Sequence, residues 1–248
     1  MIQLPVRPEL HPLFEALGYL TGFAAYKRAR QTSGDVVNEH QRWRVIAAAT
    51  LGALFGSRLL GVLEQSHRVS ILLSRFLTPS GGKTIVGGLL GGWLSVEITK
   101  KLSGIKARTG DLFAIPICIG IAVGRVGCLF AGLVDDTYGT PTGLPWGVNF
   151  GDGIARHPTQ AYEILFVTAL ALALKLLKER PHENGALFRI FMGAYLTWRL
   201  SIDFLKPQPL VHGLNAIQWA CIGGLTLLII DRKAPSPDFR PNTKGEYV

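Results

Sequence analysis

Arg58, Arg125 and Arg199 each stand inside a stretch that is otherwise apolar enough to span a bilayer. A guanidinium at the centre of a spanning helix costs roughly 2.5–3.5 kcal/mol on insertion scales. A chain that keeps several must neutralise them with carboxylates, a water-filled cavity or an anionic ligand. Two of them sit in strings of their own, Gly124-Arg125-Val126-Gly127 and Tyr195-Leu196-Thr197-Trp198-Arg199. The pattern points to a membrane protein that handles an anion, with a lipid phosphate as the first choice.

The polar residues around these arginines extend that chemistry. Glycines flanking Arg125 let a second helix or a lipid headgroup approach the backbone closely; the alternative is a packing face whose arginine snorkels to the interface. After Asp135 and Asp136, the string Arg156-His157-Pro158-Thr159-Gln160-Ala161-Tyr162-Glu163 places a cation, an imidazole, an amide, a phenol and a carboxylate in eight residues at a membrane boundary. Pro158 fits the first turn of the following span. Gln160 and Glu163, three apart, share a helix face. Tyr195, Arg199 and Asp203, each four residues from the last, form one polar stripe. Arg199 there either binds phosphate with Asp203 holding it or forms an internal pair that solves its own burial. The segment Gly81–Gly91 lacks the spacing of a nucleotide phosphate loop, and its small residues suit close packing or a backbone cradle at a headgroup.

These residues need helices that cross a membrane, and the composition agrees. Of 248 residues, 48% are hydrophobic and 17% charged, against about 25% charge in soluble domains. Seven spans are predicted, near 10–26, 45–63, 85–98, 112–134, 161–177, 187–205 and 214–230. The third is short and glycine-rich, so a start in a loop or a break is expected. The fold class is all-α integral membrane protein, a seven-helix domain over 1–233 with a disordered tail at 234–248. Loops 27–44, 99–111, 178–186 and 231–248 hold about fifteen Lys and Arg against about six in the opposite set, which places the N-terminus outside and the C-terminus in the cytoplasm. The net charge of +9 follows from that asymmetry and not from nucleic-acid binding. Cys118, Cys128 and Cys221 lie in apolar segments and suggest neither a disulfide framework nor a zinc pattern. No cleaved signal is read at the N-terminus, which Pro5, Pro8 and Pro12 interrupt.

Taken in order, these strings resemble the prolipoprotein diacylglyceryl transferase family. Tyr19-Leu20-Thr21-Gly22-Phe23 is similar to the family's first span and Gly56-Ser57-Arg58 to its Gly-Gly-Arg. Gly81–Gly91, with Gly87 and Gly88, is similar to its Gly-Gly-x-x-x-His-Gly-Gly-Leu-x-Gly segment. Gly124-Arg125-Val126-Gly127 resembles the signature Gly-Arg-x-Gly-Asn, and residues 156–163 resemble Arg-His-Pro-Ser-Gln-Leu-Tyr-Glu. Tyr195, Arg199 and Asp203 fall on a Tyr-x-x-x-Arg-x-x-x-Glu stripe. The resemblance also implies the seven-span topology and a bacterial cytoplasmic membrane.

It further implies transfer of a diacylglyceryl group from phosphatidylglycerol to the lipobox cysteine of a preprolipoprotein, releasing glycerol 1-phosphate, with no metal or cofactor. Arg125 and Arg199 would stabilise the departing phosphate, and His157 or a carboxylate (Glu163, Asp135 or Asp136) would take the thiol proton. Substrate-binding roles fall on Arg58, Gly87, Gly88, Gly124, Gly127, Arg156, Gln160, Tyr162, Glu163, Tyr195 and Asp203. The loop 135–156 would meet the peptide. The departures are specific. Val86 stands for the family His, Cys128 for the Asn, Leu133 for an acidic residue, Glu15 for a tyrosine and Asp203 for Glu. They leave open a phosphatidylglycerol-binding relative without chemistry, and a transferase with another donor or acceptor.

Overall fold

The computed structural model describes residues 2–65, 82–207 and 212–233. Most of the loop 64–84, Gly81 and the tail 234–248 lie outside the described residues. Seven α-helices are present among the described residues: α1 (His11–Ser33), α2 (Glu39–Gln65), α3 (Ile85–Leu102), α4 (Asp111–Ala131), α5 (Thr159–Lys178), α6 (Ala186–Ile202) and α7 (Ala216–Lys233). Each expected apolar segment falls on one of them. α3 is unbroken from Ile85, where the Thr84 side chain accepts from Gly87 N and caps the first turn. By length and composition, Glu39–Glu64, Asp111–Asp135 and Thr159–Lys178 qualify as membrane spans, and Ala216–Asp231 is a shorter apolar helix. Leu51, Leu54 and Phe55 of α2 are exposed, as lipid-facing side chains are.

The residues group into two compact units. The first comprises Met1–Gly34, Gly110–Tyr195 and Phe204–Pro207. Within it α4 packs on α1 and on α5. A Cβ on Gly18 would lie 2.8 Å from the Gly120 carbonyl oxygen, so α1 and α4 touch backbone to backbone through their glycines. Asp111, at the start of α4, accepts from Gly185 N (2.6 Å) and Phe188 N (2.9 Å) and so caps α6 as well.

A three-stranded sheet of two-residue strands also belongs to this unit, beside the helices. β1 (Ile2–Gln3) pairs parallel with β2 (Val148–Asn149), which pairs antiparallel with β3 (Ala155–Arg156). Its hairpin is closed by Asn149 Oδ1, which accepts from Gly151 N and Gly153 N at 2.9 Å each. Gly151 (φ 106°) and Gly153 (φ 82°) take backbone angles that disfavour other residues. The sheet anchors the chain on either side of residues 150–154 and sets His157 at the mouth of α5.

The second unit comprises Asp35–Thr109, Leu196–Asp203 and Gln208–Val248. α2 packs on α3 through Gly52 and Gly56 facing Gly87 and Gly91, and both helices touch α7. The Asn-x-x-Gln pairs Asn38/Gln41 and Asn215/Gln218 exchange reciprocal backbone–side-chain bonds that start α2 and α7.

Candidate active site

α4 turns Arg125 to its buried side. Arg125 Nη2 lies 3.0 Å from Glu163 Oε2, and the Tyr195 hydroxyl donates to Glu163 Oε1 at 2.6 Å. Three helices of the first unit therefore meet in one guanidinium–carboxylate–phenol chain, all of it buried. Glu163 reaches Arg125 because α5 presents Thr159, Gln160 and Glu163 inward. Gln160 is 1% exposed, and neither its amide nitrogen nor its oxygen has a partner among the described residues; Arg125 Nε has none either. Buried polar atoms are nearly always paired, and each left unpaired costs about 1–3 kcal/mol. Orphans of both polarities, on the helix face that carries the carboxylate paired with Arg125, suit an oxygen-rich anionic ligand with donor and acceptor groups.

At the mouth of α5, His157 is held by its backbone, donating to Thr140 O (3.1 Å) and accepting from Gly139 N (3.0 Å). The Tyr162 hydroxyl accepts from Trp146 Nε1 (2.8 Å) and lies 3.3 Å from His157 Nδ1. Arg156 pairs with Asp152 at 2.7 Å and lies over the Tyr138 ring. The Arg156 bond holds the Asp152 carboxyl below the ordinary carboxylate range. An apolar cavity of about 580 Å³ opens beside them, lined by Trp146, Tyr162, Pro158, Ala161, Leu165, Leu129, Val148, Leu4 and Ile2.

A second cluster lies next to Arg125. Arg125 Nη1 donates to Cys128 Sγ at 3.7 Å, Cys128 Sγ is 3.7 Å from His11 Nε2, and His11 Nε2 is 3.1 Å from Asp135 Oδ1. Asp135 reaches it because α4 gives way at Gly132 (φ 64°) to a 3-10 turn, Gly132–Asp135. The other Asp135 oxygen accepts from Thr137, whose carbonyl accepts from Thr159.

The remaining expected residues divide. In the second unit, Arg199 Nη2 pairs with Asp203 Oδ1 at 2.7 Å, both buried. The stripe of α6 is thus split in use, with Tyr195 bonded to Glu163 and Arg199 paired with Asp203. Arg58 is half-buried on α2. Gly87 is a packing residue, since a Cβ there would lie 2.3 Å from the Gly56 carbonyl oxygen, whereas Gly88 makes only ordinary contact. In the first unit nothing lies within 4 Å of a Cβ on Gly124, while one on Gly127 would lie 2.7 Å from Phe14 Cβ.

The profile of the family described as prolipoprotein diacylglyceryl transferase matches residues 2–230. The chain belongs to this family. A phosphatidylglycerol–prolipoprotein diacylglyceryl transferase from Bordetella bronchiseptica is 32% identical, over 94% of this chain and 97% of the relative. One from Geobacter sulfurreducens is 31% identical (84% and 87%), and one from Clostridium tetani 27% (78% and 79%). No solved structure matches the chain.

One departure from the family pattern lies beside a residue that the sequence reading did not single out. Cys128, in the position of the signature Asn, faces His11 and Asp135. His11 escaped the sequence reading, which took Pro8 and Pro12 only as interruptions. The signal was nonetheless there: His11-Pro12 opens α1 as His157-Pro158 opens α5. Val86, in the position of the family His, is buried in the second unit.

Proposed function

We propose that this diacylglyceryl transferase relative moves the diacylglyceryl group of phosphatidylglycerol onto the lipobox cysteine of a preprolipoprotein and releases glycerol 1-phosphate. The observation that carries the reading is the buried Arg125, oriented by Glu163 and Tyr195, with the Gln160 amide on the Glu163 face of the same helix and without a partner among the described residues, in a chain matching the family over residues 2–230. In this reading the lipid phosphate accepts from Arg125 and Gln160. As the glyceryl C–O bond breaks, negative charge grows on the phosphate, and a fixed guanidinium stabilises that state more than the ground state. Glu163 holds the guanidinium in place. Arg199, paired with Asp203, is assigned a phosphate-binding role by its place in the family stripe.

The thiol must lose its proton to attack carbon. His157 is the proposed base, positioned through Tyr162 and Trp146, and Arg156 and the loop 135–156 are assigned to the peptide. Arg58, Gly87, Gly88, Gly124 and Gly127 are assigned to shaping the lipid site. The apolar cavity beside Tyr162 accommodates an acyl chain or the apolar residues of a signal segment. The protein works as a seven-span protein of the bacterial cytoplasmic membrane, with its N-terminus outside and its C-terminus in the cytoplasm.

Val86 in place of the family His favours a second reading, a phosphatidylglycerol-binding relative without transfer. Purified protein, phosphatidylglycerol and a fluorescent lipobox peptide decide between them, run beside Arg125→Ala and Arg199→Ala. Turnover that both substitutions abolish establishes the transferase. Arginine-dependent lipid binding with no turnover establishes the second reading.

A further inference from the structure

We infer that Gln160 selects the donor lipid by its headgroup, its amide bonding a phosphate oxygen and a glycerol hydroxyl at once. Gln160 lies in the first turn of α5, 1% exposed, and neither its amide nitrogen nor its oxygen has a partner among the described residues. Its polar neighbours on the same helix are bonded within the protein. The Thr159 hydroxyl donates to Thr137 O, Glu163 takes Arg125 and Tyr195 on its two oxygens, and the Tyr162 hydroxyl accepts from Trp146. Exchanging the nitrogen and oxygen of the Gln160 amide leaves both unpaired, so the shortage does not depend on which way the amide is turned.

The chemistry of the partner follows from the amide. A buried amide needs an acceptor for its N–H groups and a donor for its carbonyl. The oxygens of a phosphodiester only accept at neutral pH, so a phosphate alone satisfies the nitrogen and leaves the carbonyl orphaned. A hydroxyl on the carbon chain beyond the phosphate supplies the donor, and the glycerol headgroup of phosphatidylglycerol carries such hydroxyls. An ethanolamine headgroup would also donate. Its ammonium, however, would enter a buried helix face whose carboxylate, Glu163, already has both oxygens bonded. Burying an unpaired charge costs far more than burying a hydroxyl.

The order of residues along α5 matches the order of groups along the lipid. Gln160 stands three residues before Glu163, about 4.5 Å along the axis toward the polar start of the helix. A phosphate held by Arg125, level with Glu163, therefore has Gln160 on its headgroup side, within the span of a three-carbon chain. Space is open beside Arg125, since nothing lies within 4 Å of a Cβ on Gly124. The role rests on the transferase reading, in which the glycerol stays with the phosphate as the glyceryl C–O bond breaks. Gln160 then holds the part of the substrate that departs.

The test offers full-length protein in detergent short-chain phosphatidylglycerol and phosphatidylpropanol at equal concentration, with bound lipid read by native mass spectrometry. The two lipids share phosphate, charge and acyl chains and differ only in the headgroup hydroxyls. The expected result is a preference of about tenfold for phosphatidylglycerol, the effect of leaving one buried hydrogen-bonding atom orphaned. Gln160→Met, similar in length and without an amide to satisfy, brings the preference to within about twofold. Equal binding of the two lipids by the parent overturns the proposal whether or not the variant folds. Binding of neither lipid also overturns it, as does a preference that survives Gln160→Met. No peptide is present, so transfer to a lipobox peptide is read separately. Selective binding without turnover refutes the transferase reading alone, and turnover with equal binding refutes this role of Gln160 alone.

Discussion

Replacing Glu163 by Gln keeps the side chain's shape and removes the carboxylate paired with Arg125. Both partners are nearly inaccessible, with side chains 7% and 2% exposed. Breaking a buried ion pair from one side costs about 3–5 kcal/mol, and an unneutralised guanidinium in a spanning helix costs roughly 2.5–3.5 kcal/mol. The two routes agree on about 3 kcal/mol, a shift of roughly a hundredfold in the folding equilibrium. Tyr195→Phe removes only the donor to Glu163 Oε1, a loss of about 1–2 kcal/mol between soluble and membrane magnitudes. Removing both charges, Arg125→Met with Glu163→Leu, costs less than the sum of the single changes, because neither variant partner is left charged and alone. Reversible unfolding in mixed detergent–dodecyl sulfate micelles reads the parent, Glu163→Gln, Tyr195→Phe, the single changes Arg125→Met and Glu163→Leu, and their double. A Glu163→Gln stability within about 0.5 kcal/mol of the parent, or strict additivity in the cycle, would refute the ion pair as the element that holds Arg125.

Three further outcomes are expected. Gly56→Ala would press a Cβ to 2.3 Å from the Gly87 carbonyl oxygen and destabilise the α2–α3 pair by about 1–3 kcal/mol. Gly124→Ala, with nothing within 4 Å, should leave the unfolding midpoint unchanged, so any lost transfer there reports on ligand contact. The Asp152 carboxyl is lowered by its bond from Arg156; its contribution is present above the ordinary carboxylate value and disappears as pH falls through the lowered one. Hydrogen-exchange protection at Ile154, whose N–H donates to Asp152 Oδ1, should therefore fall on acidification in the parent but not in Asp152→Asn.

The helices were legible because hydropathy and loop charge are local quantities: seven apolar segments were marked and each lies on a helix. So were residues sharing one helix face. Gln160 with Glu163 is set by the 3.6-residue turn alone, and Arg199 with Asp203 likewise pairs at four residues' spacing. The sheet was not legible, since strands of two residues carry no period. Gly87 was read for close packing or for a headgroup cradle; that its packing neighbour is Gly56 is something no motif announces.

What the sequence determined by itself is the membrane class, the family strings and the arginines at their centre, all properties of contiguous residues. Only the tertiary structure decided which carboxylate meets Arg125 and that His11 meets Cys128 and Asp135. The physical reason is separation along the chain. Tyr195 and Glu163 lie 32 residues apart and Cys128 and His11 lie 117 apart. Their encounter depends on glycine-mediated packing of α1 on α4 and on a helix end that tightens at Gly132, and neither leaves a periodic trace in the sequence.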